Sequence, residues 1–360
     1  MSRACLSNSP KSSGFTLVEL LVSTALIALV ALLLVTMTNS TASTWRYTTG
    51  RIEQFRGADT AFEAMTRRLS QATLNTYWDY DSPTKPTKYL RQSDLRFIAG
   101  GMTVAGVGAK PLLTNSPVRR PTQGVFFQAP LGYVDDAANF SGLDNLLNTW
   151  GYYVEFRDEA LARPAFVTQS PRYRYRLMEL MQPSNSLSIY QWTSPPIRPT
   201  TPYTAKDWFS AALPTSAVAP VATTPPPPPL LVHALADNVI ALVVLPKLSK
   251  KDETSTVKTL SKNYSYDSTS TNADADINPK SQLPPIVQVT LVAIDETSAA
   301  RMANGLTPPA LDASLDAIFL DSTKFDDDLK TLQKTLTDQR IGYRVFTSNV
   351  SIRGAKWSRK

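Results

Sequence analysis

The chain has 360 residues, 42% hydrophobic and 19% charged, which leaves room for one membrane helix and one large or two small globular units. Its formal net charge of +7 falls to +5 when residues 1–14, which hold Arg3 and Lys11 and no acid, are set aside, and a surplus this small demands neither anionic lipid nor nucleic acid as a partner. The single cysteine, Cys5, and the single histidine, His233, exclude a disulfide framework and a histidine-based metal centre, and beyond residue 14 they leave no thiol nucleophile.

Residues 14–35 read GFTLVELLVSTALIALVALLLV, an apolar run with one acid, Glu19. At about 1.5 Å per residue, positions 15–35 span roughly 30 Å, the thickness of a bilayer's hydrocarbon core. A carboxylate near the start of such a run is costly in lipid and calls for a partner or an interfacial position. Three readings compete. As a secretory signal the run would be cut at the small residues Ser40-Thr41-Ala42, but it is too long for that and the acid has no role. As a plain signal anchor the length fits and Glu19 is incidental. In the third reading the cut falls before the apolar segment.

Lys11-Ser12-Ser13-Gly14 followed by Phe15-Thr16-Leu17-Val18-Glu19 resembles the class III signal of type IV prepilins and type II secretion pseudopilins. The resemblance implies cleavage after Gly14 by a prepilin peptidase and N-methylation of the new terminus, Phe15. It also implies that Glu19 neutralises the terminal amine of a neighbouring subunit. The chemistry agrees: Gly14 has no side chain to obstruct a peptidase, and an acid in the first helical turn is favoured by the helix dipole. The partners implied are the peptidase and N-methyltransferase, other pilin-like subunits, an inner-membrane assembly platform, and lipid before assembly. The localisation implied is a single-pass inner-membrane protein with a cytoplasmic N-terminus and an exported head, later part of a periplasmic or surface filament. Orientation rests on the resemblance, because Arg3 and Lys11 on one side are matched by Arg46 and Arg51 on the other.

Residues 36–50 are rich in threonine and serine and are weak helix formers, with Trp45 and Tyr47 at interfacial depth. From Ile52 an apolar stripe returns at spacings of three and four: Phe55, Ala58, Phe62, Met65, Leu69 and Ala72, with Arg67 and Arg68 among the charges largely off it. No proline lies between Pro10 and Pro83, so one helix is predicted over 15–73, roughly 90 Å long. The expected fold class is α+β and pilin-like: a long N-terminal helix, membrane span plus amphipathic half, packed on a mostly antiparallel β-sheet head. The expected division is a leader at 1–14, a membrane or filament-core helix at 15–35, its amphipathic continuation at 36–75, and a first part of the head at 76–213. A Pro-rich linker at 214–231 and a second part of the head at 232–360 follow.

Within the head, strands are predicted at 95–98, 124–128, 152–156, 172–178, 187–192, 238–248, 286–294 and 343–352, and helices at 207–213 and 323–339. Tyr173-Arg174-Tyr175-Arg176 alternates aromatic and basic residues, as a single-stranded nucleic-acid platform would, but a strand with one buried and one solvated face gives the same pattern and is the expectation. The five prolines 225–229 predict an extended polyproline II spacer. Residues 249–282 are polar and read as a mobile loop, and their Asn272-Ala273-Asp274-Ala275-Asp276 lacks the glycine and closing glutamate of a calcium loop. His233, beside a Pro-rich stretch, reads as structural.

No enzyme is indicated. The glycines of 100–110 lack the glycine-lysine-hydroxyl ending of a phosphate loop, and no catalytic residue, cofactor or metal is expected. The runs LADNVIALVV (235–244), LPPIVQVTLVAID (283–295) and YRVFTSNVSIR (343–353) resemble the C-terminal half of J-type minor pseudopilins. Together with FEAMTRRLSQATLNTYWDY (62–80), VFFQAPLGY (125–133) and NTWGYYVEF (148–156), they resemble the prepilin-like Verru_Chthon cassette protein C family. That resemblance implies a processed, exported, pilin-like protein of envelope or surface assembly, with binding of DNA or another ligand by the head as the alternative role.

Overall fold

The structure is a computed structural model that describes residues 16–357, except 83, 115, 135–137, 141, 143–145, 159–171, 188, 190–206, 211, 215–230, 255–257, 271–276, 303–304 and 306. The chain forms two compact units, Met1–Glu53 and Gln54–Lys360. Helix α1 runs Leu17–Leu69. It passes through the Thr/Ser-rich stretch because hydroxyls bond back to carbonyls of the preceding turn: Thr36 to Leu33 (2.8 Å), Thr38 to Leu34 (2.7 Å) and Thr41 to Met37 (2.8 Å). These bonds satisfy the polar side chains on the helix's own backbone, so weak propensity does not end it. The helix stops four residues before the predicted end. There the Gln71 N–H turns to the Arg68 carbonyl and the Thr73 N–H crosses to Gln128 (2.9 Å).

In the second unit, the elements in chain order are β1 (Tyr77–Tyr80), β2 (Tyr89–Gln92), β3 (Ile98–Gly101), β4 (Gln123–Pro130), β5 (Leu147–Arg157), β6 (Arg174–Gln182), α2 (Asp207–Ser210), β7 (Val232–Asp237), β8 (Val239–Lys247) and β9 (Tyr266–Asp267). Then come β10 (Ile286–Ile294), α3 (Glu296–Met302), α4 (Leu311–Ala317), α5 (Phe325–Asp338) and β11 (Tyr343–Ser351). They make a six-stranded sheet in the order β7-β6-β5-β4-β3-β9, a three-stranded sheet β11-β10-β8 and a hairpin β1-β2, all antiparallel. The fold is α+β, with the helix stripe packed on antiparallel sheets. Phe55, Ala58, Ala61, Phe62, Met65, Leu69 and Ala72 of the helix segment join one apolar cluster with Val125 and Phe127 of β4, Tyr152 and Val154 of β5, and the inner residues of β8 and β10.

The two sheets meet where β8 would otherwise offer a bare edge. Its Leu242 N–H donates to Thr122 Oγ1 (3.1 Å) and its Val244 N–H to Gln123 Oε1 (2.6 Å), so side chains at the start of β4 occupy that edge. The other face of the six-stranded sheet is also covered: Phe126 stacks on Phe209 of α2 (4.0 Å between centroids), and Trp208, Leu187 and Ile189 join the same cluster. Gly151 makes this possible, since a Cβ there would lie 2.2 Å from the Phe126 ring. With both faces covered, β5 and β6 are buried almost throughout, which overturns the half-solvated strand expected at 172–178.

Other differences have local causes. The strand expected at 95–98 begins at Ile98. Before it, the Arg96 N–H is taken by the Gln128 side chain and Phe97 exchanges bonds with Ser268. Leu187 and Ile189 are buried outside any strand, following a 3-10 turn at Ser184–Ser186; the rest of the 187–192 prediction lies outside the described residues. The polar stretch 249–282 contributes β9 and the buried Leu260, Tyr264 and Tyr266, so its described middle is packed structure and not a mobile loop. The polyproline run and the acidic row at 272–276 fall outside the described residues.

Candidate functional site

Gly14 and Phe15 lie outside the described residues, which begin at Thr16. Thr16 and Glu19 form a reciprocal cap. Glu19 Oε2 accepts from the Thr16 N–H (3.0 Å) and Oγ1 (2.9 Å), while Thr16 Oγ1 accepts from the Glu19 N–H (3.3 Å). Threonine followed three residues later by glutamate is the sequence signature of this box, which satisfies donors that the first helical turn leaves bare. Glu19 is the one ionisable residue of Leu17–Ala42, a 26-residue segment of mean hydropathy 2.7 that is long and apolar enough to cross a membrane. The described side chains of this segment are exposed, from Leu17 at 79% to Met37 at 71%. One carboxylate oxygen of Glu19 is thus used within the chain, and Oε1 has no partner among the described residues.

Farther along the same helix, Arg68 reaches the six-stranded sheet. Its guanidinium bonds Glu179 of β6, donates to the Tyr152 hydroxyl (3.3 Å) and lies 4.4 Å from the Trp150 ring centroid. Glu179 is 3% exposed, and its second oxygen is 3.0 Å from Nε2 of His233 on β7. Burial, with the Glu179 carboxylate beside it, pushes the Tyr152 hydroxyl well above its ordinary value, so it stays protonated and polar contact with Arg68 costs no charge. This places His233 in a structural role at a sheet edge. The position of Arg68 was not readable from periodicity, which sets it beside the apolar stripe and not against a buried acid.

The aromatic-basic row of β6 is spent on internal pairing. Arg174 is buried and bonds Glu296, which also accepts from Asn238 Nδ2 (2.8 Å). Arg176 is buried, pairs with Asp237 through Nε (2.6 Å) and donates to the Arg157 carbonyl (2.8 Å). Arg172 is the exposed member. Both arginines of the row that a nucleic-acid platform would have used are therefore committed to carboxylates. Asn238 holds a left-handed backbone (φ 60°) where the chain leaves β7 in one sheet and enters β8 in the other, so the Arg174–Glu296–Asn238 node fixes the crossing. Burial pushes Glu296 up, but the bonds from Arg174 and Asn238 outweigh it and leave the carboxyl below its usual value.

A third ionic group is deeper. Glu155 of β5 is fully buried between Arg120 Nε (2.8 Å) and Arg157 Nη1 (3.1 Å), and Arg120 also donates to Ser116 Oγ (2.7 Å) and the Pro214 carbonyl (2.6 Å). The head carboxylates Glu179, Glu296, Asp237 and Glu155 are each held by a guanidinium, which suits fixing strands. Among the described residues no three His, Cys, Asp or Glu side chains are grouped to hold a metal ion.

Residues 9–35 match the model of the prokaryotic N-terminal methylation motif. The match covers the segment that carries Gly14, Phe15 and Glu19 and the first part of α1. No curated protein and no solved structure matches the chain.

Proposed function

We propose that the chain is a pilin-like structural subunit, cut after Gly14 by a prepilin peptidase, N-methylated at Phe15 and assembled into an envelope-spanning or surface filament of a type II secretion-like machine. The observation that carries this reading is the methylation motif over residues 9–35, set on a helix that is exposed on all sides along Leu17–Ala42 and continues into an α+β head. Lipid covers the apolar segment before assembly and the same segment of neighbouring subunits covers it afterwards. The unpartnered Oε1 of Glu19 is then available to the methylated amine of a neighbour while Oε2 keeps the helix start capped. Handling would fall to an inner-membrane assembly platform, with the N-terminus cytoplasmic and the head exported. The runs that resemble the Verru_Chthon cassette protein C family support the same class, a processed and exported pilin-like protein without catalytic activity.

The test is the mass of the mature N-terminal peptide. N-methyl-Phe15 is expected; a start at Ser43 would indicate signal peptidase, and an intact Met1 or Ser2 a plain anchor. Gly14→Val is expected to block processing. Glu19→Val is expected to be processed normally and to be lost from the filament, because a buried terminal ammonium without its carboxylate costs about 3–5 kcal/mol.

A further inference from the structure

Strand β11, Tyr343–Ser351, is the outer member of the three-stranded sheet. Its register with β10 is unbroken, and the pairing continues past both ends, from the Asp295 N–H to the Gly342 carbonyl (2.8 Å) and from the Ile352 N–H to the Pro285 carbonyl (3.2 Å). Bonding residues alternate along an antiparallel pair. The even-numbered residues of β11 are therefore the ones that bond β10, and Tyr343, Val345, Thr347, Asn349 and Ser351 turn their N–H and C=O groups outward. Among the described residues nothing bonds these outward groups. Proteins blunt such an edge with brevity, proline, lysine or a bulge. β11 is nine residues long and has none of these, and Arg344, Thr347, Asn349 and Ser351 are exposed along it.

The edge is also cationic. Residues 339–360 hold six lysines and arginines and no acid. Arg340, Arg344 and Arg353, at and beside the strand, are exposed, and none of them is in an ion pair among the described residues; Arg344 rests over the Phe346 ring, 4.9 Å from its centroid. A second copy of the strand is a poor occupant. The fullest self-pairing, centred on Thr347, would set Arg340 of each copy beside Arg353 of the other, and like charges across strands are destabilising.

We propose that the β11 edge captures an extended acidic segment of another protein, which adds to the sheet as an antiparallel fourth strand. Main-chain bonds to the outward residues supply the affinity and alternate side chains the selectivity. Side chains directly opposite each other share a face, so a partner residue opposite Arg344 stands on the Arg344 face with its own N–H turned away from β11, and an acid belongs there. The partner residues in between turn their N–H groups to β11 and their side chains toward Tyr343 and Val345, which are partly buried against the core and favour apolar neighbours. The segment selected thus alternates acidic and apolar residues. The site lies in the head, so its test is separate from that of processing and assembly.

The experiment is a fluorescence-anisotropy titration of a labelled peptide of alternating valine and glutamate, as long as β11, with the full-length protein in detergent micelles at low salt. Binding is expected. N-methylation of every valine is expected to abolish it and N-methylation of every glutamate to leave it intact, because only the valine N–H groups face β11. Arg344→Gln is expected to weaken binding about tenfold, the worth of one charge-assisted contact. Asn349→Pro, which removes an outward N–H and spares the ladder to β10, is expected to block binding, with thermal melts confirming that both variants stay folded. No binding, equal binding by the two methylated peptides, loss confined to the N-methyl-glutamate form, equally tight binding of a valine-lysine peptide, or unchanged binding by Asn349→Pro would overturn the proposal. Displacement by an oligothymidine as readily as by unlabelled peptide would overturn it too, by showing general capture of polyanions.

Discussion

The two halves of α1 answer the same problem, an apolar surface on a helix, in opposite ways. Along Leu17–Ala42 the apolar residues run all round the helix and none is covered by the chain itself. From Phe55 to Leu69 they narrow to a stripe, and Met65 and Leu69 are completely buried against the head. Charge follows the same division. Glu19 is answered one turn away by Thr16, whereas Arg68 is answered by Glu179, 111 positions along the chain. A helix apolar on all sides has no inside of its own and must borrow one from lipid or from other helices. A striped helix is already committed to its fold. The first half thus needs a cover from outside the chain, and the second is covered by the head.

The sharpest way to break this contrast is a pair of leucine truncations. Leu69→Ala should cost the head about 2–5 kcal/mol in chemical denaturation, as for other buried leucines. Leu26→Ala, at an exposed position, should leave that transition within about 0.5 kcal/mol of the parent. Comparable losses in both variants would dissolve the division. Next in size, Arg68→Met should lower head stability by about 1.5–3 kcal/mol because Glu179 loses a charged partner in a buried setting. Glu19→Gln should leave the same denaturation curve in place. Thr16→Ala removes half of the helix cap and should weaken the first turn by about 1 kcal/mol, read as faster amide exchange at Leu20 with no change in the head. The smallest effect is a pH dependence. The folded-state value of Glu296 lies below its usual 4.5, so its contribution is complete above about pH 4.5 and disappears as pH falls through the depressed value. Glu296→Gln should remove that acid-side slope while leaving the slopes from other carboxylates; an unchanged slope would show that the Arg174–Glu296 pair does not contribute.

Much of this architecture was legible because it is written in period. The stripe from Phe55 to Ala72 has helical spacing and proved to be the buried face, and β4, β8, β10 and β11 lie within two residues of their predicted limits, whereas of β5, Leu147–Arg157, only 152–156 was predicted. What was hidden depends on neighbours distant in sequence. β7, Val232–Asp237, has two alanines and a histidine and becomes a strand because β6 offers it a ladder. β9 is two residues in a polar stretch, held by β3 and Ser268. The row at Arg174 and Arg176 looked half-solvated because nothing local announces that α2 and its neighbours cover the far side of the sheet. At the N-terminus the motif itself was readable, as was the acid's place in the first turn. That Thr16 returns the bond could have been read from the threonine-x-x-glutamate spacing, and was not.

The position of β11 sets an order on folding. Phe346 of this strand, Tyr343–Ser351, comes 284 positions after Phe62 of α1, yet the two rings lie 5.8 Å apart, and just beyond it the Arg353 N–H donates to the Ser70 carbonyl (3.0 Å). The stripe of α1 therefore cannot find its full seat until a strand far along the chain has been made. Loop closure over such a separation is slow. Until that strand docks, Phe62 lacks its aromatic neighbour and the edge of β10 lacks its ladder.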